Sequence, residues 1–313
     1  MNLFGVLLTL FGALMVAIYA IALRAMLHRG KSAEERPEES VLNGGVMTVA
    51  AVSLFILVSV TRTSIDLAPG FWKYVAITGL LNILISYLGF KALQTKDDVS
   101  LVVPIKDTTP AAIVLTSWII VGERPSTMGY VGILLLVAGT YTLNIQGLID
   151  QLHSGRWTWK AFLEPWLALG RSRGVRLAFA ASAVGCLAIP FDGLASRSGP
   201  PLFALACVIS FSAVAHSIRA LASGAGRQFF DRRRGMPYAA LVGGALFAAA
   251  TGLFWWSFRF LLVAYQATVK RSETFFVIVL AFLILRERKS FRSRMVAVLL
   301  MCIGTILIAR SRG

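Results

Sequence analysis

Val103-Pro104-Ile105-Lys106-Asp107-Thr108-Thr109, followed by Gly122-Glu123-Arg124 and then Gly139-Thr140, has a counterpart in the second half of the chain: Thr268-Val269-Lys270-Arg271-Ser272-Glu273-Thr274, Arg286-Glu287-Arg288 and Gly304-Thr305. Lysine and glutamate are 17 residues apart in both copies, 106 to 123 and 270 to 287. The step from glutamate to glycine is 16 residues in the first copy and 17 in the second, and one loop insertion explains the difference. Self-similarity of this length implies an internal duplication.

The composition says what solvent the duplicated unit lives in. Of 313 residues 57% are hydrophobic and only 15% charged, with a mean hydropathy of +0.73. An ordinary soluble domain carries about a quarter charged residues, so water is excluded as the main solvent. Apolar runs of spanning length lie at 2–23, 41–61, 71–93, 99–121, 126–146, 175–196, 200–222, 238–262, 264–285 and 295–310. Ten helices of about 21 residues use roughly 210 positions, which leaves no room for a sizeable soluble domain. The first run has no basic segment before it and reads as a spanning helix, not a cleaved signal. The expected fold is an all-α integral membrane protein. It has a first five-helix repeat over 1–146, an amphipathic interfacial linker over 147–174 and a second repeat over 175–313. Trp157, Trp159, Phe162 and Trp166 alternate with Arg156, Lys160, Arg171 and Arg173 in the linker, which suits a helix lying among headgroups.

Each copy holds five spans, an odd number, so the two insert with opposite orientation. Assigning lysines and arginines to alternate sides places 20 on one side and seven on the other. The positive-inside rule puts the rich side in the cytoplasm and both termini on the non-cytoplasmic side of a cell's inner (plasma) membrane. The loop after Glu123 is charge-poor and the loop after Glu287 strongly basic, as inversion requires. Inverted repeats about a pseudo-two-fold in the membrane plane are the architecture of alternating-access carriers, with the site near mid-membrane. In a soluble protein the formal charge of +16 would suggest nucleic acid. Here the basic loops fix orientation, and membrane lipid is the expected partner.

Ser100-Leu101-Val102-Val103-Pro104, Thr109-Pro110, Gly122-Glu123-Arg124-Pro125-Ser126, Gly132 and Gly139-Thr140-Tyr141-Thr142-Leu143-Asn144 resemble the first half of EamA-family transporters of the drug/metabolite transporter (DMT) superfamily. Val269-Lys270-Arg271-Ser272 through Arg286-Glu287-Arg288 to Gly304-Thr305 resembles the second half, and Glu164-Pro165-Trp166-Leu167-Ala168-Leu169 with Arg173-Gly174 matches the family's linker. The resemblance covers essentially the whole chain. It implies ten transmembrane helices in two inverted five-helix repeats, a central cavity, and secondary export or exchange of small metabolites. The chain departs from the family at Lys106-Asp107, where such sequences are commonly apolar, and at Gly193 after Asp192, where lysine is often found.

An ionisable side chain at the bilayer centre costs roughly 2.5 to 3.5 kcal/mol on insertion scales, so it faces the bundle and finds a partner. Lys106 and Asp107 in the fourth run, and Lys270, Arg271 and Glu273 in the ninth, lie six or more residues from their run ends and are the candidate substrate-binding or coupling residues. Gln266, Lys270 and Glu273 follow at i, i+4 and i+7 and share a helical face, so Lys270 and Glu273 can pair within one helix. Asp107 and Arg271 can meet across the helix pair. Two lysines approaching one cavity favour a small polar or anionic substrate. The competing reading makes these charges structural ion pairs that lock the two helices. Pro104 and Pro110 bracket Lys106 and loosen the fourth helix. Asp192, near Pro190, is a secondary candidate. Glu123 and Glu287, at helix starts, are expected to serve helix N-terminal dipoles.

No enzyme is indicated, because nucleophile-base constellations, metal spacings and phosphate-cradling loops are lacking. Cys186, Cys207 and Cys302 have no CxxC spacing, and His28, His153 and His216 are scattered, so neither a metal nor a cofactor is expected. The leading expectation is a secondary active transporter of a small polar metabolite, with protonation of Glu273 or Asp107 as the candidate coupling step. A flippase for a lipid or lipid-linked sugar phosphate is the alternative. A non-transporting subunit bound to a membrane-protein partner is a further one.

Overall fold

The computed structural model describes residues 2–28, 38–93, 109–152, 159–232, 235–285 and 291–311. Lys106, Asp107 and Glu287 lie outside them. Among the described residues every regular element is helical: α1 (Asn2–His28), α2 (Glu39–Val60), α3 (Phe71–Leu93), α4 (Thr109–Val121), α5 (Thr127–Leu152), α6 (Trp159–Arg171), α7 (Arg173–Arg197), α8 (Pro201–Ala222), α9 (Met236–Ser257), α10 (Val263–Lys270), α11 (Glu273–Leu285) and α12 (Phe291–Arg310), with a 3-10 turn at Ala225–Phe230. In hydrocarbon each backbone N–H and C=O must be satisfied within its own segment, and a helix does this. Among the described residues six helices are long and apolar enough to cross a membrane: Leu3–Leu23, Glu39–Val60, Phe71–Gly89, Arg173–Arg197, Pro201–Ala222 and Met236–Ser257. Thr109–Val121, Thr127–Leu143 and Val296–Arg310 are shorter apolar helices.

The bundle carries its large apolar side chains outside. Leu3, Phe4, Leu7 and Phe11 on α1, and Phe55, Ile56, Leu57 and Val60 on α2, are exposed, whereas the interior is rich in alanine. Lipid offers no hydrophobic drive between helices, so association rests on close backbone approach at small residues. A Cβ on Gly304 of α12 would come within 2.7 Å of the Gly132 carbonyl oxygen on α5, and a Cβ on Gly139 within 2.8 Å of the Ala297 carbonyl oxygen. If Gly139 and Gly304 are equivalent positions, Gly132 and Ala297 are also equivalent, so these two contacts are mates of one another. The helix pairs follow the same rule. α1 packs on α9 and α3 on α7, α2 packs on α9 and α3 on α8, and α2–α8 and α5–α12 are self-paired. Exchanging each apolar run with the one five runs later carries this set onto itself.

Two segments differ from the sequence reading. The ninth run is two helices, α10 and α11, not one span over 264–285. At the junction Arg271 N–H donates to the Thr268 carbonyl (3.0 Å), Ser272 to Val269 (3.0 Å) and Thr274 to Arg271 (3.2 Å), so i−3 bonds replace the regular i−4 ladder. The eighth run ends at Ser257, and 258–262 form a connection that hydropathy alone cannot separate from a helix because Phe258, Phe260, Leu261 and Leu262 are all apolar. The linker helix α6 carries Pro165 inside it and packs on α5 and α7. Trp166 Nε1 donates to Tyr141 Oη at 3.0 Å, and Leu163 and Leu167 are exposed beside it.

Candidate functional site

The short helix α10 is the centre of the polar interior. Residues Val263 to Val269 are all buried, so each polar side chain on it must find a partner. Tyr265 Oη accepts from the Ser126 backbone N–H at 3.0 Å, and Gln266 Nε2 donates to the Phe254 carbonyl at 3.4 Å. Lys270 ends the helix with its ammonium 4.8 Å from the Phe254 ring centroid, a cation–π contact. Arg271, the C-cap, donates from Nη2 to Thr109 Oγ1 on α4 at 2.7 Å. Glu273 stands in the first turn of α11, half-buried.

The shared face of Gln266, Lys270 and Glu273 is therefore corrected. The helix is interrupted between Lys270 and Glu273, and no ion pair joins those two residues. Lys270 takes an aromatic face instead of a carboxylate, and Arg271 takes a hydroxyl. The pairing expected between Arg271 and Asp107 involves a residue outside the described ones.

Asp192, the secondary candidate, is half-buried on α7 against α3. It accepts a hydrogen bond from Thr78 Oγ1 of α3, and Thr78 is fully buried. Asn82, one turn further along α3, donates from Nδ2 to the Thr78 carbonyl at 2.9 Å and to Thr78 Oγ1 at 3.2 Å. The Lys270 ammonium is within electrostatic range of Asp192. Gly193 is explained by its neighbour: a Cβ there would lie 2.5 Å from Val263 Cγ2, so a side chain would displace the start of α10. Beside this cluster is a cavity of about 190 Å³ lined by Ile85, Gly89, Thr109, Ser182, Gly185 and Arg271, among others. It reaches Arg271 from α3, α4 and α7. Sequence reasoning does not single out Thr78, Asn82 and Ser182, and it names Thr109 only within the repeat motif; the one available signal is Thr78 and Asn82 at i, i+4 inside an apolar run.

The end of the bundle where α7 stops is stitched together. The Arg197 guanidinium forms an ion pair with Glu123 and donates from Nε to the Phe258 carbonyl and from Nη2 to the Leu261 carbonyl, both at 2.8 Å. The other oxygen of Glu123 accepts from the Val263 backbone N–H at 2.7 Å. Glu123 does serve a helix N-terminus, but that of α10 in the other half of the chain. One carboxylate thus joins the α4–α5 connection, the end of α7 and the start of α10.

Residues 3–145 match the model of the EamA-like transporter family. No curated protein matches the chain in sequence. Among solved structures, a crystal structure of a protein 15% identical superposes at a TM-score of 0.68 over 99% of this chain and 99% of its own, a likeness of fold.

Proposed function

We propose that this chain, which belongs through residues 3–145 to the EamA-like transporter family of the DMT superfamily, is a secondary active carrier of a small polar or anionic metabolite working by alternating access. The observation that carries the reading is the interruption of the ninth apolar run between Lys270 and Glu273, beside Asp192 and a cavity. Broken helices at mid-membrane mark substrate and ion sites, because freed backbone groups and charged side chains are tolerated there only where they line a cavity. The exchange rule obeyed by the helix pairs and the reciprocal contacts of α5 and α12 support two inverted five-helix repeats, 1–146 and 175–313, flanking the linker. The stitched end beside Arg197 and the cavity reaching Arg271 support a conformation closed at one end.

In this reading Lys270 and Arg271 receive the anionic part of the substrate and Asp192 its donors, with Gln266 holding α10 in register. Asp107 and Glu273 are the carboxylates open to proton coupling, and Lys106 is the counterpart of Lys270 from the first repeat. Both termini are on the non-cytoplasmic side. The test is a ligand-induced thermal-shift screen of the purified protein with small anionic and zwitterionic metabolites, repeated on Lys270→Ala and Lys106→Ala. A true substrate raises the melting temperature of the wild type and leaves both variants unshifted. A hit that shifts all three alike overturns the site. The flippase alternative requires the hit to be a lipid-linked phosphate, and the subunit alternative requires a stoichiometric partner at purification.

A further inference from the structure

A second cavity, of about 620 Å³, lies at the Arg197 end and shares no lining residue with the polar cluster. It forms where the end of α2, the start of α8 and the end of α9 meet. Its lining changes character from the helix ends to the connections. Leu57, Leu202 and Trp256 belong to the terminal turns of their helices, whereas Thr61, Asp66 and Arg259 lie in the connections beyond. Leu57 and Trp256 are exposed, as are Ile56 and Val60 beside them, so the apolar rim is continuous with the lipid-facing surface. A tryptophan at this depth suits the headgroup boundary.

The two charges in the cavity are of opposite sign and not paired with each other, although both line it. Arg259 uses Nη2 to donate to the Gly199 carbonyl at 2.9 Å, one of the five donor hydrogens a guanidinium carries. Asp66 has no protein hydrogen bond or ion pair among the described residues, so both carboxylate oxygens are available. The volume lies within the range of small-molecule sites, roughly 300–1,000 Å³. It suits a headgroup whose tails leave sideways.

We propose that this cavity binds the headgroup of a zwitterionic phospholipid with a primary ammonium, the phosphate on Arg259 and the ammonium on Asp66, the acyl chains passing Leu57, Leu202 and Trp256 into the bilayer. Charge complementarity selects this occupant: an anionic headgroup without an ammonium satisfies Arg259 and faces Asp66 unpaired. The site is independent of the carrier reading, and either can fail without the other.

The test is native mass spectrometry of the delipidated full chain titrated with palmitoyl-oleoyl phosphatidylethanolamine, with the matching phosphatidylglycerol, and with water-soluble O-phosphoethanolamine. The expected result is a preference of about fivefold for the ethanolamine lipid over the glycerol lipid, the yield of one partly exposed ion pair. Asp66→Asn removes that preference, and Arg259→Gln weakens both lipids. An equal affinity of the wild type for the two lipids, or a preference unchanged in Asp66→Asn, overturns the proposal. O-phosphoethanolamine binding as tightly as the lipid overturns the bilayer as the source. Asp66 makes no protein bond, so Asn at that position leaves the fold intact and decides the matter even if Arg259→Gln folds poorly.

Discussion

Glu123 satisfies two unrelated groups at once, and the two are not worth the same. The Arg197 side chain is about one-third exposed, at 31%, whereas that of Glu123 is 9% exposed. An ion pair screened on one side contributes little, typically below about 1 kcal/mol. The Val263 N–H is different, because it belongs to a buried helix start and loses its acceptor when the carboxylate is removed. An orphaned buried donor costs about 1 to 3 kcal/mol. Glu123→Ala therefore lowers the melting temperature of the purified protein more than Glu123→Gln does, since the amide drops the charge but keeps an acceptor for the Val263 N–H. Equal losses in the two variants would mean that the ion pair, and not the helix start, is the stabilising element. Ser117 gives the opposite sign. Its Oγ is buried on α4 with no hydrogen-bond partner among the described residues, so Ser117→Ala removes an unsatisfied group and leaves stability unchanged or higher by up to about 1 kcal/mol. A clear loss of stability in that variant would show that the hydroxyl is satisfied in the membrane. At this scale the sequence marks positions 192, 266, 270 and 271 as candidates, because charge or amide in an apolar run is visible in composition, and Glu123 as a carboxylate at a helix start. It could not announce their partners. Thr78, Thr109 and Phe254 come from other helices, and nothing local to Asp192, Arg271 or Lys270 encodes which helices those are.

Elements were legible to the extent that hydropathy has edges. The ends of α2, α3, α7 and α8 fall within about two residues of their apolar runs, because polar or glycine-proline segments bound them. The break between α10 and α11 is missed for a different reason: Gln266, Lys270, Arg271 and Glu273 are placed on the faces of one continuous span, and helical periodicity assumes continuity where i−3 bonds replace it. The α5–α12 contact shows what a sequence repeat means physically. Gly139 and Gly304 recur because each must let the partner backbone close in, and Gly304 would also place a Cβ 2.8 Å from the Leu136 nitrogen. Backbone atoms cannot swing aside as side chains do. Gly304→Ala and Gly139→Ala are thus each expected to cost about 1 to 3 kcal/mol, the usual penalty of overpacking. Gly89, with nothing within 4 Å of its Cβ position, is the control, and Gly89→Ala should melt as wild type does. Thermal unfolding in detergent separates these outcomes, and a Gly304→Ala variant as stable as Gly89→Ala would mean that the two helices are farther apart in the membrane.

At the scale of the molecule the two ends are built differently, and the difference can be read by chemistry from either side of a membrane. The Arg197 end is closed by Glu123, the Phe258 and Leu261 carbonyls and the Val263 N–H, while the 190 Å³ cavity is lined by Gly89, near the far end of α3, and Ser182, in the first half of α7. Ser182 Oγ donates to the Ala178 carbonyl one turn back, at 2.9 Å, a bond the helix can lose. A Ser182→Cys reporter, in a background with Cys186, Cys207 and Cys302 replaced by alanine, should react with an impermeant maleimide from the side opposite Arg197. That side is the cytoplasm if the basic loops orient the chain. Removing the stitch shifts the balance between the two conformations only by as much as it favours one of them. A loss of about 1.4 kcal/mol is a tenfold change in population. Glu123→Gln keeps the size and one acceptor but drops the charge, so labelling from the Arg197 side should rise by up to about fivefold, the yield of an ion pair worth less than about 1 kcal/mol, while labelling from the cavity side falls only slightly, since that conformation was already dominant. Reaction at equal rates from both sides in the unaltered reporter would identify a pore. A Glu123→Gln variant with wild-type labelling on both sides would leave the closed end held by the carbonyl bonds of Arg197 alone, and Arg197→Gln, which removes those as well, would then have to open it.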